Sequence, residues 1–191
     1  MIENKSPQVM VFTPKKQTSN NLITPPIFKW KSFKLNSKIP SKRASDSGFD
    51  IYTVENNVWL KPHETRMFST GLACAIPEFY WLRAVDRGST GSRGIHVHCG
   101  IIDEEYIGEI FIALNNTNNY PILFTDEVKK VCFKRTWYGR KYMCYPVSKA
   151  IAQLIPERRV VCDSQWATDQ EWNDAVKNSV RGEGKLGASG K

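Results

Sequence analysis

Apolar and polar positions alternate in short runs along most of this chain. Ile51 to Val58, Thr65 to Ala75 and Tyr80 to Val85 are rich in β-branched and aromatic residues, and residues 94–114 continue the pattern. Asn56-Asn57, Lys61-Pro62-His63 and Ile76-Pro77-Glu78 punctuate these runs with turn-forming residues. Short strands at such spacing, with little helical periodicity between them, predict an all-β domain of sandwich or barrel type. One segment departs. In Asp169 to Val180, Trp172, Val176 and Val180 fall on one helical face, with Thr168 or Asp169 available as the cap. The stretch Gly100 to Ile110 reads as a hairpin: two apolar segments joined by an acidic turn, with Gly at each shoulder. It could set a carboxylate (Asp103), an aromatic plate (Tyr106) and open backbone amides around a flat ligand.

Composition changes this picture at the ends. At 191 residues and 41% hydrophobic content, one compact domain with some chain left over is expected. The formal charge of +8 is unevenly placed: residues 1–43 hold nine Lys/Arg and one acid, Glu3, whereas residues 44–191 are balanced. The basic character therefore belongs to an N-terminal arm, which weakens a nucleic-acid-binding reading of the body. Residues 1–28, with Pro7, Pro14, Pro25 and Pro26, have linker composition and predict a disordered basic arm. No run approaches a membrane span, and residues 1–20 lack the apolar core of a secretory signal. The five cysteines are odd in number and carry no Cys-x-x-Cys spacing, so thiols in a reducing compartment are expected, in the cytoplasm or nucleus.

Five segments, in order, resemble the motifs of the trimeric deoxyuridine triphosphatases (dUTPases). Ala44-Ser45-Asp46-Ser47-Gly48-Phe49-Asp50-Ile51-Tyr52 is similar to the first motif. Arg87-Gly88-Ser89-Thr90-Gly91 resembles the second, usually Pro-Arg-Ser-Gly or Pro-Arg-Ser-Ser. Gly100 to Ile110 resembles the third, Ala150 to Ile155 the fourth with its Ile-Ala-Gln-Leu core, and Arg181 to Gly190 the Gly-rich fifth. The resemblance covers residues 31–191 and implies a jelly-roll-like (β-clip) domain that hydrolyses dUTP to dUMP and pyrophosphate. It implies a homotrimer whose three sites lie at subunit interfaces, with residues 181–191 as a lid over a neighbour's site.

By the same resemblance each candidate residue has a role. Asp103 is the base that activates water, Tyr106 lies under the deoxyribose and rejects a 2′-hydroxyl, and backbone groups from Cys99 and Gly100 through Ile102 to Gly108 read uracil. Arg87, Gly88, Ser89 and Gln153 face the phosphates. Asp50 holds a water of a Mg²⁺ ion bridging the phosphates. Arg181 reaches the γ-phosphate, and Leu186, Gly187, Ala188 and Ser189 complete the lid.

The chain departs from the motifs in several places. Gly88 replaces the Ser that normally donates to phosphate, Ala150 replaces an Arg, Leu186 replaces an aromatic that stacks on uracil, and Ala188-Ser189 stands for a Ser-Thr pair. These favour one rival reading, a weakened, dUTPase-like nucleotide-binding regulator; a second rival is a dCTP deaminase of the same fold, against which the Asp103-Glu104-Glu105-Tyr106 turn and the Gly-rich tail speak.

Asp103 and Gln153 stand 50 positions apart, about 20 more than the family pattern. An insert is expected within residues 115–148. It interleaves Lys129, Lys130, Lys134, Arg135, Arg140 and Lys141 with Phe133, Trp137, Tyr138 and Tyr142. The simpler expectation is an extra β-hairpin turning at Tyr138-Gly139-Arg140. Contact with single-stranded nucleic acid or protein, through the insert or the arm, is the less favoured alternative. His96 and His98 alternate on one strand, but no third ligand is spaced to help, so both are read as structural or surface residues. No Walker, zinc or Gly-x-Ser-x-Gly sequence is present.

Overall fold

A computed structural model describes residues 24–98 and 100–180. Thirteen strands and two short helices form an all-β, jelly-roll-like fold among these residues. The strands are β1 (Lys29–Ser32), β2 (Phe49–Ile51), β3 (Val58–Leu60), β4 (Thr65–Ser69), β5 (Leu72–Ala75) and β6 (Tyr80–Val85). After a single helical turn α1 (Gly88–Gly91) come β7 (Ile95–His98), β8 (Ile101–Ile102), β9 (Phe111–Asn116) and β10 (Ile122–Thr125). The last elements are β11 (Cys132–Arg135), β12 (Lys141–Pro146), β13 (Ala152–Arg158) and the helix α2 (Asp169–Asn178). They assemble as sheets β2-β13-β6-β8, β11-β12-β10-β3, β4-β9-β7 and β1-β5.

Period-two patterning explains the core. Leu82 and Ala84 on β6, and Ala152 and Leu154 on β13, turn inward; Arg83 and Glu157 face out, where they form an ion pair. Phe68, Phe124, Leu60, Leu114, Ile122 and Met143 close the interior from the other sheets. Buried Asn116 donates through Nδ2 to the carbonyls of Lys61 (3.0 Å) and Tyr120 (2.9 Å). Every buried side-chain polar atom among the described residues finds a partner. Cys74 lies in this apolar interior, and burial pushes its thiol up to about 12.

Two expected strands divide. Thr65 to Ala75 breaks into β4 and β5 because Gly71 takes φ +66°, and a Cβ there would sit 2.3 Å from the Ser37 hydroxyl. Ile51 to Val58 breaks into β2 and β3, with Thr53 spending its hydroxyl on the Ser69 carbonyl and the Glu55 amide. The expected hairpin over Gly100–Ile110 is corrected as well. Its turn exists, closed by a 3.1 Å bond from the Tyr106 amide to the Asp103 carbonyl. Its arms do not pair with each other. β8 pairs with β6, and Ile110 bonds instead to Leu72 and Thr70.

The hairpin expected in the insert is present. β11 and β12 pair antiparallel, and the turn closes through Thr136 and Gly139, which has φ +85°. β12 then runs into the core through Met143, Cys144 and Tyr145, parallel to β10. Residues 1–23 of the expected arm lie outside the described residues; Phe28, its last position, packs its ring against Phe49 and Tyr80. Thr168 and Glu171 cap α2 reciprocally. None of α2 is buried, and Trp172 on its apolar stripe is exposed. No helix among the described residues is long and apolar enough to cross a membrane.

Candidate active site

The register of one sheet builds half of the site. Gln153 on β13 lies opposite Asp50 on β2 and opposite Val85 on β6. Alternation puts these three on the face turned away from Ile51, Ala84 and Leu154. Arg87 follows Val85 by two positions and reaches the same face. Its guanidinium forks onto the Asp50 carboxylate, Nε to Oδ1 at 2.8 Å and Nη2 to Oδ2 at 2.9 Å. Its remaining Nη1 donates to the Ser89 hydroxyl at 3.3 Å. Gln153 donates to the Asp86 carbonyl at 3.0 Å. With Arg43, Ser45, Ser47 and Gly48 these groups line a polar depression of about 540 Å³. Cations, hydroxyls and amides around a shallow cavity suit an anion with several oxygens. A Cβ added at Gly88 would meet nothing within 4 Å, so the backbone there stands open to a ligand.

Three residues that the sequence reading passed over support this half. Asp86, in the place that the second motif gives to Pro, accepts from the Val97 amide and from His96 Nδ1 at 2.7 Å. It thereby ties the Arg87 loop to β7 and accounts for His96 as a structural residue; His98 is exposed. Tyr145 is fully buried behind the loop, and its hydroxyl donates to the Ala150 carbonyl at 2.8 Å. Burial raises its phenol, and the neighbouring Arg87 and Ser89 partly offset the rise. Ala150 is itself buried, so the side chain at this position packs rather than faces the cavity. Arg43, at the rim of the depression, pairs with Asp46, whose carboxyl is lowered by the Arg43 amide first and its side chain second. Only proximity in the fold reveals the roles of Asp86 and Tyr145; the charge of Arg43, immediately before the first motif, was a visible signal.

The other half lies elsewhere. Asp103 follows Ile102, which pairs with Leu82 near the start of β6, whereas Arg87 lies past its end. Five steps from Leu82 to Arg87 amount to roughly 16 Å along a strand. Asp103 is exposed and lines a separate depression of about 340 Å³ with Glu104, Glu105 and Arg159. Glu104 accepts from Arg159 Nε at 3.0 Å and from the Phe79 amide at 3.1 Å, which braces the turn. Tyr106 is 45% exposed, and its hydroxyl donates to the Glu109 carbonyl at 2.7 Å. Gly100 packs so close to β6 that a Cβ would lie 2.6 Å from the Ala84 carbonyl oxygen; Ile102 is buried. Thus Asp50, Arg87, Ser89 and Gln153 come together, while Asp103 and Tyr106 form a second group. Cys99, Arg181, Leu186, Gly187, Ala188 and Ser189 lie outside the described residues.

Comparison with known proteins identifies the fold. Residues 36–132 match the family model described as dUTPase. The chain belongs to the dUTPase family. Over 105 residues it is 26% identical to the deoxyuridine 5'-triphosphate nucleotidohydrolase of Variola virus, which covers 53% of this chain and 71% of that protein. The cowpox virus protein of the same name is 25% identical over the same length. Among solved structures, the dUTPase of Staphylococcus bacteriophage 80alpha bound to dUPNHPP superposes with a TM-score of 0.66 at 25% identity. That match covers 86% of this chain and 99% of the phage chain. The dUTPase of the S. aureus phage phi11, described as showing a species-specific insert, gives 0.60 at 20% identity and covers 75% and 97%. The family match ends at Cys132, where β11 begins.

Proposed function

We propose that this dUTPase-family chain hydrolyses dUTP to dUMP and pyrophosphate, at sites that each combine two or more copies of the chain. The observation that carries the reading is the separation of two complementary half-sites on one strand. One offers a guanidinium held by Asp50, Gln153 and a serine hydroxyl suited to a triphosphate; the other offers a carboxylate and an aromatic ring suited to water activation and sugar recognition. Neither is complete alone. Ile101 (67% exposed) and Ile107 (76%), on either side of the Asp103 turn in sequence, present apolar surface that association would cover. The chain beyond Arg159 leaves the body with Val160, Val161, Trp166 and Trp172 exposed. That favours a C-terminal segment that packs on a neighbour and carries residues 181–191 to its site as a lid.

In such a site Asp103 accepts the proton of a water that attacks the α-phosphorus, and pyrophosphate departs. Arg87 and Gln153 hold phosphate oxygens and offset the charge that develops there. The Tyr106 ring blocks the space of a 2′-hydroxyl. Backbone groups between Cys99 and Gly108 read the uracil edge. Among the described residues no group of three or more His, Cys, Asp or Glu converges as a metal cage. The donor set therefore fits Mg²⁺ held chiefly by the triphosphate, with Asp50 receiving one of its waters through lone pairs that Arg87 leaves over. Bound in that way, Mg²⁺ would neutralise phosphate charge and fix the phosphate chain.

Product analysis after incubation with dUTP and with dCTP tests the reading. Release of dUMP and pyrophosphate from dUTP, with dCTP untouched, supports it. Conversion of dCTP to a uracil nucleotide assigns the chain to the deaminases. Tight dUTP binding without product assigns it to the weakened regulators, the reading that Gly88 favours.

A further inference from the structure

We propose that the outer face of the β3-β10-β12-β11 sheet is a binding site for single-stranded nucleic acid, separate from the nucleotide site. The register defines the face. Trp59 lies opposite Leu123, Leu123 opposite Cys144, and Tyr142, two positions from Cys144, opposite Lys134. Alternation therefore puts Trp59, Tyr142 and Lys134 on one side, and the Trp59 and Tyr142 rings meet edge to face at 5.1 Å. Their strand neighbours Leu60, Ile122 and Met143 fill the core on the opposite side.

The face is open and rich in rings. Trp59 is 43% exposed, Tyr138 56% and Trp137 96%. A groove of about 940 Å³ runs along it, lined by four rings (Trp59, Tyr120, Tyr138, Tyr142) and three cations (Lys61, Arg140, Lys141), with no carboxylate in the lining. Arg140 lies 5.6 Å from the centre of the Tyr138 ring. The edge strand β11 and the turn before it add exposed Lys129, Lys130 and Lys134.

Folding gains nothing by keeping such rings in water, and their surplus of cations has no anionic partner across the groove. A single strand supplies what the face lacks: one planar apolar base and one negative charge per nucleotide. An acidic peptide supplies charge without a ring at each residue, so the alternation of ring and cation favours the nucleic acid. The even charge balance of residues 44–191 does not oppose this, because the excess is local to one face.

The test uses the full chain and fluorescence anisotropy with labelled cytidylate strands of roughly 16 nucleotides, the upper end of single-site footprints. The DNA and RNA versions are separate arms, and binding in either supports the site and names its preferred source. Affinity should fall steeply between about 50 and 200 mM salt. Trp59→Ala and Tyr138→Ala should each weaken binding roughly 5- to 100-fold. Arg140→Glu with Lys61→Glu should weaken it further and flatten the salt dependence. None of these residues belongs to either half-site, so dUTP turnover should be unchanged, which also reports an intact fold. Four results overturn the proposal. Neither strand binds at low salt; binding survives all these substitutions and disappears only on removal of residues 1–23; excess dUTP displaces the strand; or a labelled peptide of glutamate and tyrosine binds more tightly than both strands.

Discussion

The two ends of β6 solve different problems. At the Arg87 end each functional side chain is already held by the protein: Arg87 by Asp50 and Ser89, Gln153 by the Asp86 carbonyl, and Asp86 by His96 and β7. At the Asp103 end the backbone turn is braced, but among the described residues no side chain engages the Asp103 carboxylate. The first end is assembled within one chain and needs only its ligand. The second leaves the Asp103 carboxylate exposed. Changes at the first end should disturb structure and binding together. Changes at the second should separate them.

The sharpest test of that contrast is Asp103→Asn. An amide cannot take the proton of the attacking water, so turnover should fall by about 10²-fold or more while dUTP binding and melting temperature stay near the parent values. Near-normal hydrolysis would show that the exposed carboxylate is only a turn residue. A comparably large loss is expected when the chain ends at Val180, since Arg181 and the glycines go with it. Removing residues 1–23 should leave activity nearly intact, with assembly preserved in both truncations. Inverted results, measured by turnover and sedimentation, would relocate the site. Tyr106→Ala should act on choice rather than rate: the ratio of kcat/KM for UTP to that for dUTP should rise as space opens at the 2′ position. An unchanged ratio would make Tyr106 a brace for Glu109 and no more.

Gains at the prepared end should be smaller. Gly88 has open space around a would-be Cβ, so Gly88→Ser is sterically permitted and should raise kcat/KM by adding a donor toward developing charge. Leu186→Phe should tighten dUTP binding a few-fold to about tenfold, because an aromatic contact adds roughly 0.5–1.5 kcal/mol beyond area burial. Failure of both would mean that loop and lid rely on other contacts. The smallest effect concerns Glu109, just past the turn. Burial acts to raise its carboxyl, but the Ser69 hydroxyl, the Gly71 amide and Lys34 together hold it below its ordinary value of 4.5. A carboxyl lowered in the folded state adds stability that is complete above its unfolded value and is lost as pH falls through the folded one. Melting temperature should therefore drop below about pH 4.5 more steeply in the parent than in Glu109→Gln.

Much of this was legible in the sequence, and the exceptions have physical causes. Alternation on β6 and β13 is visible in Leu82, Arg83, Ala84 and in Ala152, Gln153, Leu154, and it alone puts Gln153 outside. The capping box of α2 and the turn of the β11-β12 hairpin are written in local residue types. The arms of the Asp103 turn were misread because composition reports that a segment is extended, not which strand it pairs with. β8 and the segment before β9 find partners across the fold. Gly71 divides a run that looks continuous because the close approach of Ser37 is made 34 positions away. Asp86 and Tyr145 escaped for the same reason: even for Asp86, which directly precedes Arg87, the role depends on contacts that only folding creates, with His96 and Val97 for its carboxylate and with Gln153 for its carbonyl.

The gap between Asp103 and Arg87 also bears on inheritance. If each site draws its base from one copy and its arginine from another, two different inactive chains can repair each other. A cell producing both an Asp103→Asn chain and an Arg87→Ala chain would assemble some mixed oligomers in which an intact turn faces an intact arginine. Genetic complementation between alleles of a single gene is then the expected behaviour, and two defects that each abolish activity alone would together restore part of it.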